Sequence, residues 1–340
     1  MDISTEEGEV VMSEVHLGCP PHFSGPYFST FTISLPPPPE VELVGSKFDG
    51  VRGGELTSTQ QVISLDEDGD LILRRRNEDS KYKFVMIIQH NITSSIPSVG
   101  LQVWRAELVL ADYVMHKMFT TSDFDGIIAA ELGAGTDLTL SLPGLAGMLL
   151  ARVAKKVFLT DHGDEVLDNC SQNVHLNSER FSASVYVREL DWKASWPPLE
   201  KCAASQGRYD WTSQELEDFQ GASLLVAADV IYSDDLTDAF FSTLERLMSR
   251  SSDKVLYMAL EKRYNFTLDD LSVVANGYSH FQKYLKNEQA GDYAGCEGYH
   301  NDSYPCFVGT CIDLTQVPQY VREYERGEDV EIWEIKYEKK

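Results

Sequence analysis

The 340-residue chain carries 54 acidic against 29 basic residues, a net charge of −25, with 43% hydrophobic and 24% charged content. Globular composition excludes wholesale disorder, and the acidic balance excludes a nonspecific nucleic-acid or anionic-membrane binder, which needs a basic face. No apolar run approaches the ~20 residues of a membrane helix, and the acidic start MDISTEEGEV is not the basic-then-apolar order of a signal peptide.

Proline pairs and runs at Pro20-Pro21 and Pro36–Pro39 break any long element, so residues 1–40 are expected to be a flexible segment. Residues 41–98 read as a β-rich extension. It would hold a hairpin over Gln61–Arg74, turning at Asp68-Gly69, and a strand over Lys83–Ile92. From Leu101 the pattern becomes strand and helix in alternation. Trp104–Phe119 reads as a helix, Gly126–Leu132 as a buried strand, Leu145–Ala154 as a helix and Lys156–Asp161 as a second strand. Asp164–Asn177 reads as a helix with Val166, Leu167, Cys170 and Val174 on one face, and Asn169, Asn173 and Asn177 as a solvent-facing polar stripe. Ala183–Leu190, Ala222–Tyr232 and Lys254–Arg263 supply three more strands, with an amphipathic helix over Asp234–Met248. Val330–Tyr337 alternates cleanly and suits an antiparallel edge strand. The fold class is therefore α/β: residues 99–340 form a Rossmann-like parallel sheet with helices on both faces.

Six cysteines contain no C-x-x-C pair, and the spacing of Cys296, His300, Cys306 and Cys311 fits no familiar metal finger, so no metal is expected. The serines lack G-x-S-x-G, which argues against a hydrolase.

In such a sheet ligands bind beyond the carboxyl ends of the strands. The first strand ends in Glu131-Leu132-Gly133-Ala134-Gly135, whose glycines let backbone approach a ligand. The second ends in Asp161, an acceptor suited to the hydroxyls of a ribose. The third ends in Asp191-Trp192, an acid beside a ring that could flank an adenine. The fourth ends in Ala228-Asp229-Val230-Ile231-Tyr232. A dinucleotide wants G-x-G-x-x-G, but the third position here is Leu138. S-adenosyl-L-methionine, which carries no phosphate and needs acidic partners, suits the stretch better.

The segments LQVWRAELVLADY, ELGAGT, VFLTD, ELDW and AADVIY, in this order, resemble the family 16 seven-β-strand protein lysine methyltransferases. The resemblance runs from about Leu43 to the C-terminus and is sharpest between Val103 and Phe266. It implies a seven-stranded methyltransferase sheet and transfer of a methyl group from S-adenosyl-L-methionine to a lysine of another protein. It also implies roles residue by residue. Trp104, Glu131, Gly133, Gly135, Asp161, Asp191, Trp192 and Ala228 would line the cofactor pocket. Asp229 and Tyr232 would form the D-x-x-Y element at the methyl-transfer mouth, Asp229 holding the incoming ammonium. The expected partner is a basic protein substrate, the resemblance suggesting a nuclear, nucleic-acid-associated one, met in nucleus and cytoplasm by a monomeric enzyme that itself binds neither nucleic acid nor membrane. Nine carboxylates and no lysine or arginine between Tyr209 and Glu245 suit the steering of such a partner.

The first loop departs from the family pattern. DLTLSLP intrudes after Thr136, and removing it restores GAGTGLAGM, with Gly144 as the missing glycine. An alternative reading follows, of a noncatalytic protein of this fold whose cofactor loop the insertion disrupts. A nicotinamide-dependent oxidoreductase is disfavoured by the absent third glycine.

Overall fold

The computed structural model describes residues 10–12, 26–36, 82–91, 93–95, 104–135, 144–197, 207–250, 253–267, 272–287 and 307–338. The chain divides into two compact units, one of residues 1–33 with 85–340 and one of residues 34–84. In the second, the Leu35 amide donates to the Tyr82 carbonyl at 2.6 Å. The hairpin expected over Gln61–Arg74 and the insertion after Thr136 lie outside the described residues, as do Cys296, His300 and Cys306.

The described strands are β1 (Val10–Met12), β2 (Pro26–Ser34), β3 (Lys83–Asn91), β4 (Thr93–Ser95), β5 (Ile128–Leu132), β6 (Lys156–Asp161), β7 (Ser184–Glu189), β8 (Leu224–Ala228), β9 (Val255–Glu261), β10 (Asn265–Thr267), β11 (Ser272–Val274), β12 (Leu285–Asn287), β13 (Phe307–Cys311) and β14 (Val330–Tyr337). The helices are α1 (Arg105–Thr120), α2 (Leu145–Leu150), α3 (Asp164–Asn177), α4 (Ser213–Gln220), α5 (Asp234–Met248) and α6 (Asn276–Gln282). β2 lies within the segment expected to be flexible. It pairs with β3, while β1 pairs with β4 and β10 with β11.

An eight-stranded sheet in the order β12-β13-β14-β9-β8-β5-β6-β7 organises the rest. The run β9-β8-β5-β6-β7 is parallel throughout. Its central strands are apolar and sealed on both faces, the burial that a parallel sheet covered by helices requires. β14 is antiparallel as expected, but it is no edge strand. It lies between β9 and β13, and its alternation reflects two unequal faces: Val330, Ile332, Trp333 and Ile335 are buried. The strand count exceeds seven because the short β12 adds a further edge beside β13.

The asparagines of α3 are not a solvent-facing stripe. Asn169, Asn173 and Asn177 are 8%, 0% and 1% exposed. The Asn177 amide accepts from the Ile87 N–H at 3.0 Å and donates to its carbonyl at 2.8 Å. Asn173 does the same for Gln89, at 2.6 and 3.0 Å. Four helical residues rise about 6 Å, close to the roughly 6.6 Å between alternate strand residues. The amides therefore pair with β3 as a neighbouring strand would.

A second tie runs from α1 to the C-terminal segment. The fully buried Asp112 carboxylate accepts from the amides of Tyr320 and Val321 at 2.7 and 2.8 Å, from the Tyr324 hydroxyl and from Arg326. That segment reaches β2 in turn, where the Thr32 amide donates to Glu323 at 2.8 Å.

Candidate active site

Strand order reverses at β5, which has β6 and β7 on one side and β8 and β9 on the other. The carboxyl ends around that switch are where an open α/β sheet takes a ligand. Parallel register brings the loops after β5, β6, β7, β8 and β9 to this one edge.

The loop after β5 turns at Gly133, whose φ of 80° is left-handed. The amides of Gly133 and Ala134 both reach the Thr160 carbonyl of β6, at 2.9 Å. Gly144 caps the start of α2 with φ 70°, and a Cβ there would stand 2.8 Å from Leu159. Its left-handed φ and this close approach favour glycine at the position.

Glu131 does not point a free carboxylate at the edge. It is fully buried and its Oε2 accepts from the Gly147 amide of α2 at 2.7 Å. Glu107 of α1, equally buried, accepts from the Ala146 amide at 2.7 Å. The two carboxyls interact electrostatically, so that a charge on Glu107 opposes ionisation of Glu131. Burial pushes Glu107 up to about 7, and burial with the adjacent Glu107 charge holds Glu131 well above its ordinary value. Cys170 of α3 is buried beside them, its thiol raised chiefly by burial and further by Glu131, Asp161 and Glu107.

Asp161, the last residue of β6, is 4% exposed and its Oδ1 accepts from the His162 amide at 2.7 Å. The His162 ring lies 3.3 Å from Glu189. After β7, the Leu190 amide donates to the Asp161 carbonyl at 2.7 Å, so these two loops are tied together. Asp191 turns its carboxylate back onto the Lys193 amide at 2.8 Å. Trp192 stands edge-on to Phe240 of α5, with ring centroids 5.1 Å apart.

Ala228 closes β8, and Asp229 follows with φ 55°, a left-handed conformation that costs a non-glycine residue about 1–2 kcal/mol. The Asp229 amide donates to the Ala259 carbonyl at 2.7 Å, which holds the turn. Its carboxylate, 1% exposed, pairs with Arg263 at 2.5 Å. Burial raises the Asp229 carboxyl, and the Arg263 charge opposes that shift. The Arg263 guanidinium also lies over the Trp104 ring, 5.1 Å from its centroid. Trp104 is 3% exposed, and its indole N–H has no partner among the described residues. Tyr232 is half-buried where this loop enters α5.

Trp104, Asp229 and Arg263 thus meet on one side of the edge, and Glu131, Gly133 and Asp161 on the other. Sequence reasoning missed Glu107, Gly147 and Arg263. Glu107 had a signal, a carboxylate inside the apolar run of a predicted helix; Arg263 had none. The acidic stretch is also less open than its count suggests, because Glu215 pairs with Arg188, Asp218 with Lys156 and Asp229 with Arg263. Asp234 and Asp235, in the first turn of α5, remain exposed.

Residues 84–276 match the family described as lysine methyltransferase. Human methyltransferase-like protein 22 is 33% identical over 293 residues, covering 84% of this chain and 66% of that protein. Its namesake from Mus musculus is 36% identical over 229 residues, covering 66% and 54%. Protein N-lysine methyltransferase METTL21A of Danio rerio is 30% identical over 168 residues, covering 49% and 62%. The chain spans 54% to 66% of the length of these relatives. With more than half its length matching that family, and its sheet built as such a domain requires, the chain belongs to the lysine methyltransferase family.

Proposed function

We propose that the chain is a protein-lysine N-methyltransferase that uses S-adenosyl-L-methionine. Family membership supports this, together with the chemistry of the carboxyl edge. The observation that carries it is the buried Trp104 N–H without a partner among the described residues, on the same edge as the Asp161 carboxylate. A buried donor left unmade costs about 1–3 kcal/mol, so a ligand acceptor in that place is favoured. In this reading Trp104 donates to an oxygen of the amino-acid part of the cofactor. The loop Gly133–Gly135 would hold the same part, Asp161 would accept from the ribose, and Trp192, Asp191 and Ala228 would hold the adenine. Glu131 acts at one remove, by anchoring α2 behind the loop.

The cofactor supplies an activated methyl group on a good leaving group. The remaining work is to hold an amine in line with that methyl and to free its lone pair. Lysine is protonated at neutral pH, so its ammonium must lose a proton before it attacks. Asp229 is assigned to receive the ammonium and Tyr232 to shield the reacting nitrogen. We assign residues 99–340 to the catalytic domain and 41–98 to a β-rich extension that helps select a basic protein substrate. Asp234 and Asp235, exposed near the mouth, would attract it; a monomer acting in nucleus and cytoplasm fits the family resemblance.

The test is to incubate the full chain with isotope-labelled methyl donor and a cell lysate and to locate the label by mass spectrometry. Label on a lysine side chain is expected, and it should be lost in Asp229→Ala while donor binding persists. Label only on small molecules, or an unaffected Asp229→Ala, would refute the reading.

A further inference from the structure

A carboxylate and an aromatic face converging on one point make a seat for a cation. Asp229 and Trp104 form such a seat, and both are sealed from water, at 1% and 3% exposure. The cation in it is the chain's own. Arg263 pairs with Asp229 at 2.5 Å and stacks on Trp104 at 5.1 Å, yet a third of its side chain still faces solvent, at 33%. The bases beside it in sequence or space are engaged elsewhere. Arg105 pairs with Glu261, and Lys262 pairs with Glu331 at 2.5 Å while lying over the Tyr278 ring. Arg263 therefore enters the seat from the open side, two residues beyond the end of β9, and covers it.

We propose that Arg263 is an internal stand-in for the target ammonium, filling the Asp229–Trp104 seat until a substrate lysine displaces it. The inference rests on the function proposed above and adds a determinant of specificity. A tethered guanidinium competes at an effective concentration on the order of millimolar or more. A free amine must overcome that competitor unaided. A lysine on a docked protein brings additional binding energy from the rest of the interface, so the seat favours protein-borne lysines over small amines.

The experiment uses n-butylammonium chloride, the head of a lysine side chain, as probe on the full chain, read by melting temperature without cofactor. Arg263→Ala should be stabilised by roughly 2–4 °C at tenfold excess over the dissociation constant. The unaltered chain should shift far less, and Arg263→Ala combined with Asp229→Asn should not shift. Equal shifts in the unaltered chain and Arg263→Ala, or none in either, would overturn the proposal and leave Arg263 a purely structural partner of Asp229.

Should Arg263→Ala fail to fold, Arg263→Lys decides, because it puts a methyl acceptor in the seat. With S-adenosyl-L-methionine, the deprotonated amine at position 263 forms the new N–CH3 bond. The S–CH3 electron pair stays on sulfur and the amine proton passes to water. Methyl uptake at position 263 supports the proposal; a folded, donor-binding variant unmodified there refutes it. Failure of the parent reading looks different, since then the donor stabilises no chain while butylammonium still reports on the seat.

Discussion

Two buried acidic sites flank the carboxyl edge, and they are neutralised by different means. On the β5 side, Glu107 and Glu131 are kept by the Ala146 and Gly147 amides of α2 and by burial that favours their protonated forms. On the β8 side, Asp229 is kept by a guanidinium. A buried carboxyl that holds its proton gives pH dependence without a mobile charge. A cation on a one-third-exposed arm gives a charge that another cation can replace. The first arrangement suits a wall behind a loop, the second a place where a substrate enters.

The largest effect should come from removing the cation. Arg263→Ala strands a buried carboxylate and should cost on the order of 2–4 kcal/mol, below the cost for a fully buried pair because Arg263 is partly solvated. Urea unfolding measures this, and adding Asp229→Asn should recover most of the loss. If it recovers none, the pair is not the source.

A steric test of the other side comes next. A Cβ at Gly147 would stand 2.3 Å from Leu159 Cδ2 and 2.6 Å from Glu131 Oε2. Gly147→Ala should therefore cost about 1–3 kcal/mol as overpacking, although alanine is the better helix former. A neutral or stabilising result would mean that α2 does not sit against Glu131.

The smallest effect separates proton from cation. Burial raises Glu107 to about 7 from 4.5, so the folded chain retains a proton that the unfolded chain releases first. The stability it contributes is complete below the unfolded value and is lost as pH rises through about 7. Glu107→Gln keeps an acceptor for Ala146 and cannot ionise. Relative to that variant, the unaltered chain should lose stability between about pH 5 and about pH 8. Parallel urea midpoints for the two chains across that range would rule out a proton retained at Glu107.

The parallel sheet was readable because β5, β6 and β8 are short apolar runs that end in or lead directly to glycine or acid. The helices α3 and α5 match their predicted bounds because charged and apolar positions alternate at helical spacing. The asparagine stripe misled, since polar residues at that spacing look alike whether they face water or another backbone. α4 went unread although Thr212 and Glu215 form a capping box, a signal carried by two residues rather than by periodicity. Strand-end residues such as Asp161 and Asp229 could be found from position alone. Their partners could not, because Arg263 meets Asp229 and Trp104 only through the pairing of β8 with β9.

The most direct measurement is calorimetric titration of the full chain with S-adenosyl-L-methionine, beside Asp161→Ala. The account predicts saturable one-site heat for the full chain, greatly weakened in a folded Asp161→Ala. No heat from the folded full chain, or equal heat from both, would contradict it.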